Sequence, residues 1–511
     1  MTQLAIAPAH ITSAGGYLLV LAVIVPVCAV LAMLALNPRH SARIAGVTLA
    51  AGLVVSIAIV VELFRNETAL VYVVGGWQPP LGLTLRADGL SATMLAMTAV
   101  VITAAGLFAQ AQYGLMPETR HGRAPTTFWI LLIATWSALN VVFLGEDLFN
   151  LYVALELLTF AAVPLVCLDG RAETVAAALR YLMFALLGSL LYLLGTALLY
   201  GRFGTLDLLT LSGISDGGPA VSVALALMIA GLLAKAALFP MHLWLPPAHA
   251  GAPAAASAVL SALVIKAPIF LILRLVLDVA PPEAAGFAGQ ILAILGATSI
   301  LFCSIMALKQ ARLKLMIAYS TAAQIGYLFI VFPLAAGNGD LPAWGTIAWT
   351  GGALQLVSHA LAKAAMFLAA GAIAEAFGHD RISELGGFAR ALPMSAAAFG
   401  LAGLSLMGIP PSGGFVAKCL LLTAAVVNGH PWLAATILAG GLLAASYVFR
   451  VIDRALATPA APIQLRTAIP RRMEMMALAL AIAAVLLGFV PLQPFAFLQI
   501  GRADAAAMVL P

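Results

Sequence analysis

Charged residues are scarce in this sequence. Only 9% of the 511 residues are Asp, Glu, Lys or Arg, whereas 63% are hydrophobic, and the mean hydropathy is +1.08. Soluble globular domains carry roughly a quarter charged residues, so this composition excludes an ordinary soluble protein. Apolar runs long enough to cross a bilayer recur from end to end of the chain. The sequence therefore predicts a single membrane domain over residues 1–511.

Cysteine and the motifs of cofactor binding are also sparse. The four cysteines, Cys28, Cys167, Cys303 and Cys419, each stand alone in an apolar run. This placement argues against disulfides and against iron–sulfur ligation. No G-x-G-x-x-G and no G-x-x-x-x-G-K-[ST] occurs, so nothing indicates a nucleotide site. We expect no cofactor, no metal site, no nucleic-acid partner and no catalytic site belonging to this chain alone.

Hydropathy predicts an all-α polytopic membrane protein with about fourteen transmembrane helices. Spans 1–3 occupy residues 17–112, and the last span occupies residues 474–490. Proline-rich stretches predict broken helices near 235–247 and 408–415, because proline lacks an amide donor. Residues 70–87 combine turn residues with β-formers, which indicates a hairpin or an interfacial loop outside the bilayer.

The basic residues predict how the chain is oriented. With the N-terminus outside, sixteen Lys and Arg residues fall in the predicted cytoplasmic loops and five in the predicted outer loops. An excess of this kind is what the positive-inside rule expects. We therefore expect a multi-pass protein of the inner (plasma) membrane with both termini outside the cytoplasm.

Lysine is rare, and its placement is unusual. Four of the six lysines lie inside predicted spans, namely Lys235, Lys266, Lys363 and Lys418, whereas all nineteen arginines fall in loops or at span ends. A lysine at mid-bilayer costs about 2.5–3.5 kcal/mol on insertion scales and is usually functional. Arginine keeps its charge under nearly all conditions, but a buried lysine can release its proton. This distribution indicates a protein that moves protons.

One carboxylate, Glu156, also lies in the middle of a span. A lone carboxylate there must pair with a cation, take up a proton or face water. Lys235 is its natural partner, and a Glu–Lys pair that opens and closes acts as a proton switch. The alternative is a fixed salt bridge that only joins two helices. Lys266 has no acid nearby in sequence. It could accept a proton from Lys235, or it could simply reach a carbonyl of its own helix.

Histidines accompany the intramembrane lysines. His359 and Lys363 are four residues apart, which places them on one helix face, and histidine can relay protons near neutrality. A buried histidine that is merely hydrogen-bonded is the alternative. His242 and His249 lie in the first proline-rich break. They could pass protons between lysines, or they could cap the broken helix ends.

Three stretches carry a resemblance to a known family. KAALFPMHLWLPPAH at residues 235–249, HALAKAAMF at 359–367 and GIPPSGGFVAK at 408–418 resemble segments of the antiporter-like subunits. These subunits are shared by Mrp-type Na+/H+ antiporters, respiratory complex I and membrane-bound hydrogenases. The resemblance implies two inverted five-helix repeats, over 126–278 and 287–452, with a hydrophilic axis at mid-membrane.

The resemblance also assigns residues and a subtype. It matches Glu156 to the family's fifth-helix glutamate, and Lys235, Lys266 and Lys418 to its seventh-, eighth- and twelfth-helix lysines. The stretch YVVGGWQPPLGLTLRAD at residues 72–88 looks most like the D-type Mrp subunit, although residues 412–414 depart from that pattern. The implied function is that of a proton-translocating subunit in a hetero-oligomeric Na+/H+ antiporter.

The alternative is a proton-pumping subunit of a complex I-type NADH:quinone oxidoreductase, a membrane-bound hydrogenase or a related energy-coupling complex. In that setting the chain would form part of a translocase. Either way the expected partners are other membrane subunits, protons, the lipid bilayer and, for the antiporter, Na+. A purely structural membrane scaffold is a third interpretation, which would require the four intramembrane lysines to be replaceable without loss of ion flux.

Overall fold

The computed structural model describes residues 11–114, 123–335, 342–459, 462–490 and 493–501. The chain is nearly all helical, at 81%. Twelve of the described helices are long and apolar enough to cross a membrane. This confirms the predicted class of an all-α polytopic membrane protein.

The N-terminal part consists of three long helices and one hairpin. In chain order these are α1 (Tyr17–Ala35), α2 (Ser41–Asn66), β1 (Leu70–Val73), β2 (Thr84–Ala87) and α3 (Gly89–Gly114). The two strands pair antiparallel, with Leu70 opposite Ala87. The hairpin predicted within residues 70–87 is therefore present.

The middle part contains the first broken helix. Its helices are α4 (Arg123–Leu144), α5 (Leu148–Val166), α6 (Ala172–Phe203), α7 (Leu208–Ile214), α8 (Pro219–Lys235), α9 (Leu245–Gly251), α10 (Ala254–Val259) and α11 (Lys266–Arg274). A π-helical turn, Leu260–Val264, joins α10 to α11, and a second one, Leu275–Val279, follows α11. The segment Ala254–Val279 thus forms one continuous span.

The C-terminal part contains the second broken helix. Its helices are α12 (Pro282–Leu308), α13 (Leu313–Phe329), α14 (Val331–Ala335), α15 (Pro342–Phe377), α16 (Phe388–Ala391), α17 (Pro393–Met407), α18 (Gly413–Val427), α19 (Pro431–Leu456) and α20 (Arg471–Leu486). Three apolar helices, α8, α17 and α18, are too short to count among the twelve. Taking α8 as one span and α17 with α18 as one broken span completes the fourteen predicted from hydropathy.

Both breaks lie where the sequence predicts them. α8 ends at Lys235, and the chain passes through Pro240 and a 3-10 turn, Met241–Trp244, before α9 begins. Gly408 terminates α17 with a φ of 81°, a left-handed conformation that glycine adopts without steric cost. After the following prolines, Ser412 caps α18 by accepting a hydrogen bond from the Phe415 amide at 3.2 Å.

The helices that carry Lys266, His359 and Lys363 lie at the centre of the molecule. Every residue in the most apolar window of the span Ala254–Val279 is buried, and so are 94% of that window in α15 and 89% in the α13–α14 span. The corresponding fractions are only 28% for α1 and 33% for α2. Lys266, His359 and Lys363 are consequently surrounded by protein, and the outer helices shield them from lipid.

Candidate proton pathway

Glu156 and Lys235 form an ion pair between α5 and α8. The Lys235 ammonium lies 3.3 Å from the Glu156 carboxylate and also donates to the Thr159 hydroxyl at 3.0 Å. The Ser189 hydroxyl of α6 donates to the same carboxylate oxygen. Lys235 is buried, whereas Glu156 is only part-buried. The structure thus places together the two residues that the sequence proposes as a switch, and it adds two hydroxyl groups.

Two glycines bring α6 and α8 close enough for this pair to form. A Cβ atom added to Gly231 would lie 2.2 Å from the Gly188 carbonyl oxygen, and one added to Gly188 would lie 2.5 Å from the Gly231 carbonyl oxygen. Small residues at such crossings allow membrane helices to approach backbone to backbone. Gly188 precedes Ser189, and Gly231 lies one turn before Lys235, so this crossing positions the polar contacts of the pair.

Lys266 lies directly after the first π-helical turn. Its side chain is fully buried, and its ammonium donates to the Ala262 carbonyl at 2.5 Å. This is the helix-carbonyl contact that the structural alternative predicts. Among the described residues, no hydrogen bond or ion pair joins Lys266 to the Glu156–Lys235 pair. A π-helical turn leaves backbone carbonyls outside the regular α-helical ladder, and such turns are frequent at functional sites.

His359 and Lys363 occupy the centre of α15. Lys363 donates to the Ile317 carbonyl at 3.2 Å and to the Ser320 hydroxyl, both on α13. His359 is buried, and neither of its ring nitrogens has a hydrogen-bond partner among the described residues. His359 lies one helical turn before Lys363, so the two side chains lie on one face of α15.

Lys418 lies on α18, just after the second break. Its ammonium donates to the Leu406 carbonyl and sits 4.5 Å from the centre of the Tyr327 ring. Carbonyl groups in the last turn of a helix lack an intrahelical partner, and Leu406 lies in the last turn of α17. The break in the helix thus provides the acceptor that holds this lysine.

Polar side chains that sequence reasoning did not single out lie beside Lys363 and Lys418. Gln324 lies one turn after Ser320 on α13 and donates to the Leu406 carbonyl at 3.3 Å, the same carbonyl that Lys418 binds. Gln355 of α15 donates to Gln324 at 3.2 Å. The signal in the sequence was the spacing of polar residues 320, 321 and 324 on one face of an apolar span.

The two histidines of the first break have different surroundings. His249 is fully buried, stacks on the Phe367 ring at 4.5 Å and has no hydrogen-bond partner among the described residues. His242 packs against the Phe239 ring at 5.6 Å. Among the described residues, His249 therefore contacts an aromatic ring and caps no helix end.

A second buried cluster of charges lies at the predicted outer ends of the helices. Arg274 forms ion pairs with Asp88 and, at 3.2 Å, with Asp278, and Arg86 of the hairpin lies 3.5 Å from Glu146. The sequence analysis counts every arginine in a loop or at a span end, but Arg274 lies inside the span Ala254–Val279 and is 9% exposed. Sequence reasoning missed this cluster because its members are far apart along the chain.

Comparison with known proteins places this sequence in a family. The family model described as NADH:quinone oxidoreductase/Mrp antiporter, transmembrane, matches residues 145–444. The N-type subunit of NADH-quinone oxidoreductase from Desulforudis audaxviator is 36% identical over 86% of each chain. The D-type subunit of the Na(+)/H(+) antiporter from Alkalihalophilus pseudofirmus is 30% identical over 83% of this chain and 84% of its own.

A solved structure agrees with these relatives. A chain of the Mrp complex from a Dietzia species superposes with a TM-score of 0.85 at 25% identity, covering 95% of this chain and 96% of its own. Residues 145–444 include all the titratable positions from Glu156 to Lys418. The segment that the family model matches therefore contains the whole candidate proton pathway.

Proposed function

Because this chain belongs to the family of NADH:quinone oxidoreductase and Mrp antiporter membrane subunits, we propose that it is a proton-translocating subunit of a multi-subunit monovalent cation (Na+)/proton antiporter, similar to the D-type Mrp subunit. One observation carries the proposal. Titratable residues in the membrane interior run from Glu156 and Lys235 through Lys266, His359 and Lys363 to Lys418, and they are buried or part-buried in the core.

In this proposal the Glu156–Lys235 pair is the switch. While the pair is closed, the carboxylate stabilises the protonated amine; when it opens, burial in a low-dielectric interior favours release of the proton. Ser189 and Thr159 provide hydrogen bonds that can stabilise the separated groups. Glu156 is part-buried, which leaves this end of the series accessible from the face of α5.

Protons then pass to the central residues. Lys266 takes up the proton, and His359 exchanges it with Lys363, because an imidazole without fixed partners can accept at one nitrogen and donate from the other. Lys418 receives it at the far end of the series, and Ser320 and Gln324 provide polar contacts beside the two lysines. His249 and His242 provide a branch towards the side that the charge bias predicts to be cytoplasmic.

The setting of the chain is part of the proposal. We place it in the inner (plasma) membrane with both termini outside the cytoplasm and with other membrane subunits as partners. The solved relative comes from a multi-subunit complex, which supports such partners. We also propose that residues 126–278 and 287–452 are inverted repeats, since each group contains one broken helix and intramembrane lysines.

A second candidate is a proton-pumping subunit of a complex I-type oxidoreductase or a related energy-coupling complex. The relative from NADH-quinone oxidoreductase supports it, because its identity of 36% exceeds the 30% of the relative from the antiporter. In that setting the same residues would move protons, but a partner subunit would supply redox energy in place of a sodium gradient.

Transport assays on single lysine variants test the proposal. The assay follows Na+-dependent pH change in membrane vesicles that contain the co-expressed complex. We expect Lys235→Ala, Glu156→Ala and Lys418→Ala to insert normally but to lose transport at least tenfold, because each removes a proton-binding group. Lys309→Ala is the matched control, since Lys309 is an exposed lysine in the turn after α12, and it should transport normally.

Two results would contradict this function. Normal transport by both Lys235→Ala and Glu156→Ala would reject the switch. Full transport by a variant that lacks all four intramembrane lysines would leave only a scaffold role. If pH changes arise with quinone and NADH but never with Na+, the second candidate replaces the first.

A further inference from the structure

An apolar groove opens on the surface between α17 and α19, away from the lysine series. It encloses about 300 Å³ and is lined almost wholly by apolar side chains, among them Phe388, Ala396, Ile452 and Leu456. The groove runs along the first two turns of α17 and the last turn of α19. It therefore starts at the end of the helical bundle where α17 begins and extends about 10 Å along that helix, at 1.5 Å of rise per residue.

Small residues create this groove. A Cβ atom added to Gly400 would have no heavy atom of another residue within 4 Å, so this wall faces open space. One turn further along α17, a Cβ atom on Gly403 would lie 2.5 Å from Val448 of α19. The two helices thus touch at Gly403 and diverge towards the start of α17, which leaves a wedge as deep as two helical turns.

Two arginines flank the mouth of the wedge. Arg390 follows the groove residue Ala389 on α16, and Arg454 precedes the groove residue Ala455 on α19. The Gly387 amide donates to the Arg454 carbonyl at 2.8 Å and fixes α16 against the end of α19. Both side chains are exposed, and neither has a hydrogen bond or ion pair with any residue that the structure describes.

The surrounding charge is positive. Arg471 and Arg472 begin α20, whose Glu474 is buried and bonded to Ser395 near the start of α17. Asp453 is a second acid near the mouth; it is exposed and directly precedes Arg454. Two acids against four arginines leave an excess of positive charge at the mouth, so charge complementarity favours an anion there.

We propose that this groove binds an anionic phospholipid, with one acyl chain in the wedge and the phosphodiester between Arg390 and Arg454. Guanidinium groups bind phosphate oxygens through paired hydrogen bonds. Basic pockets between membrane helices are known to hold anionic head groups. The apolar wall excludes free phosphate as a sufficient ligand, because only a lipid fills both the wedge and its mouth. This inference does not depend on the transport activity.

Native mass spectrometry of the full-length chain in detergent tests the site. The probes are phosphatidylglycerol, phosphatidylcholine and inorganic phosphate, added in turn. One basic group near an anionic lipid contributes about a fivefold attraction, so the double variant Arg390→Gln/Arg454→Gln should retain phosphatidylglycerol roughly thirtyfold more weakly. Gly400→Phe should prevent retention by filling the wedge.

Matched controls distinguish lipid bound in the groove from lipid bound elsewhere on the surface. Arg43→Gln removes another exposed arginine on the same predicted side, and Gly46→Phe adds a ring at another glycine with open space around it. Both should retain phosphatidylglycerol like the unmodified chain. Ala397→Phe, on the same wall as Gly400, provides a second way to fill the wedge, and thermal unfolding verifies that each variant folds.

Three outcomes would overturn the inference. Equal retention by the unmodified chain and Gly400→Phe would place the lipid elsewhere. Equal retention of phosphatidylcholine, or of phosphate alone, would show that the arginines do not select an anionic lipid. In the complete complex, cross-linking of Ala397→Cys to a neighbouring subunit through a bifunctional maleimide would show that protein fills the wedge in place of lipid.

Discussion

At the scale of single residues, two buried carboxyl groups in the outer charge cluster respond differently to similar burial. Burial raises the pKa of Asp88, but Arg274, Arg86 and the Ser91 amide outweigh it, and the pKa lies below its usual value. Burial also raises the pKa of Glu146, and Arg86, 3.5 Å away, opposes this only in part, so the pKa stays above its usual value. The number and closeness of the cationic partners decide the sign.

This contrast predicts opposite sensitivities of the two acids. Asp88→Asn should lower the free energy of unfolding by about 3–5 kcal/mol at neutral pH, because it leaves Arg274 buried with a weaker partner. Glu146→Gln should change it by less than about 1 kcal/mol, since Arg86 keeps the Gly501 carbonyl and Asp88 as partners. Thermal or denaturant unfolding in detergent measures both.

The pH dependence has a defined direction. A carboxyl whose folded-state pKa is depressed stabilises the fold above its unfolded value and loses this contribution as the pH falls through the folded value. The difference between the unmodified chain and Asp88→Asn should therefore shrink as the pH drops below 3.8, the usual value for Asp88. A difference that stays constant over this range would contradict the ion-pair assignment.

At the scale of helices, the site depends on how elements break and cross. The break after α17 supplies the Leu406 carbonyl to Lys418, and the glycine crossing of α6 with α8 sets the distance between Lys235 and Glu156. The crossing requires glycines, which have no side chain to separate the helices, and the break contains prolines, which lack an amide donor. The helix break and the helix crossing thus set the contacts of Lys418 and of the Glu156–Lys235 pair, which the titratable residues alone could not set.

A substitution at the crossing tests this role. Gly231→Ala should reduce transport about tenfold or more without preventing insertion, because its methyl group would lie 2.2 Å from the Gly188 carbonyl and force α8 away from α6. Gly201→Ala is the control, since Gly201 lies on α6 with open space around it. Unchanged transport by Gly231→Ala would mean that the precise Glu156–Lys235 distance is not needed.

At the scale of the whole molecule, burial increases from the outer helices to the central ones, whereas charge differs between the two predicted sides of the membrane. The central helices, α15 and the span Ala254–Val279, are almost wholly enclosed by the others, whereas only 28% of the most apolar window of α1 and 33% of that of α2 is buried. Basic loop residues concentrate on one predicted side. The protein therefore keeps Lys266, His359 and Lys363 away from lipid, and the bias of the loops predicts its orientation.

Reporter fusions check this orientation. A fluorescent protein that matures only in the cytoplasm should stay dark when fused after Pro511, whereas alkaline phosphatase at the same point should be active outside. A fusion that ends after Arg312, in the turn between α12 and α13, should give the reverse pattern. Cytoplasmic fluorescence of the fusion after Pro511 would overturn the predicted layout.

Much of the fold could be predicted from the sequence, because a bilayer imposes strong rules on composition. Span number, both helix breaks and the hairpin follow from hydropathy, from prolines such as Pro410 and from alternating turn and strand residues. The titratable residues were also visible, since a lysine in an apolar run has no ordinary explanation. Arg274 shows the limit, because its position near a span end did not reveal how deeply the fold encloses it.

The sequence by itself determined the class of protein, the spans, the breaks and which titratable residues lie inside apolar segments, because each depends on the free-energy cost of placing a local stretch of chain in the hydrocarbon core of a membrane. Only the tertiary structure decided which residues meet. The Ser189 hydroxyl on Glu156, the Leu406 carbonyl shared by Gln324 and Lys418, and the Arg274–Asp88 pair join distant segments. Such contacts depend on how helices pack against one another, and the pattern of residues within a single helix does not specify this packing.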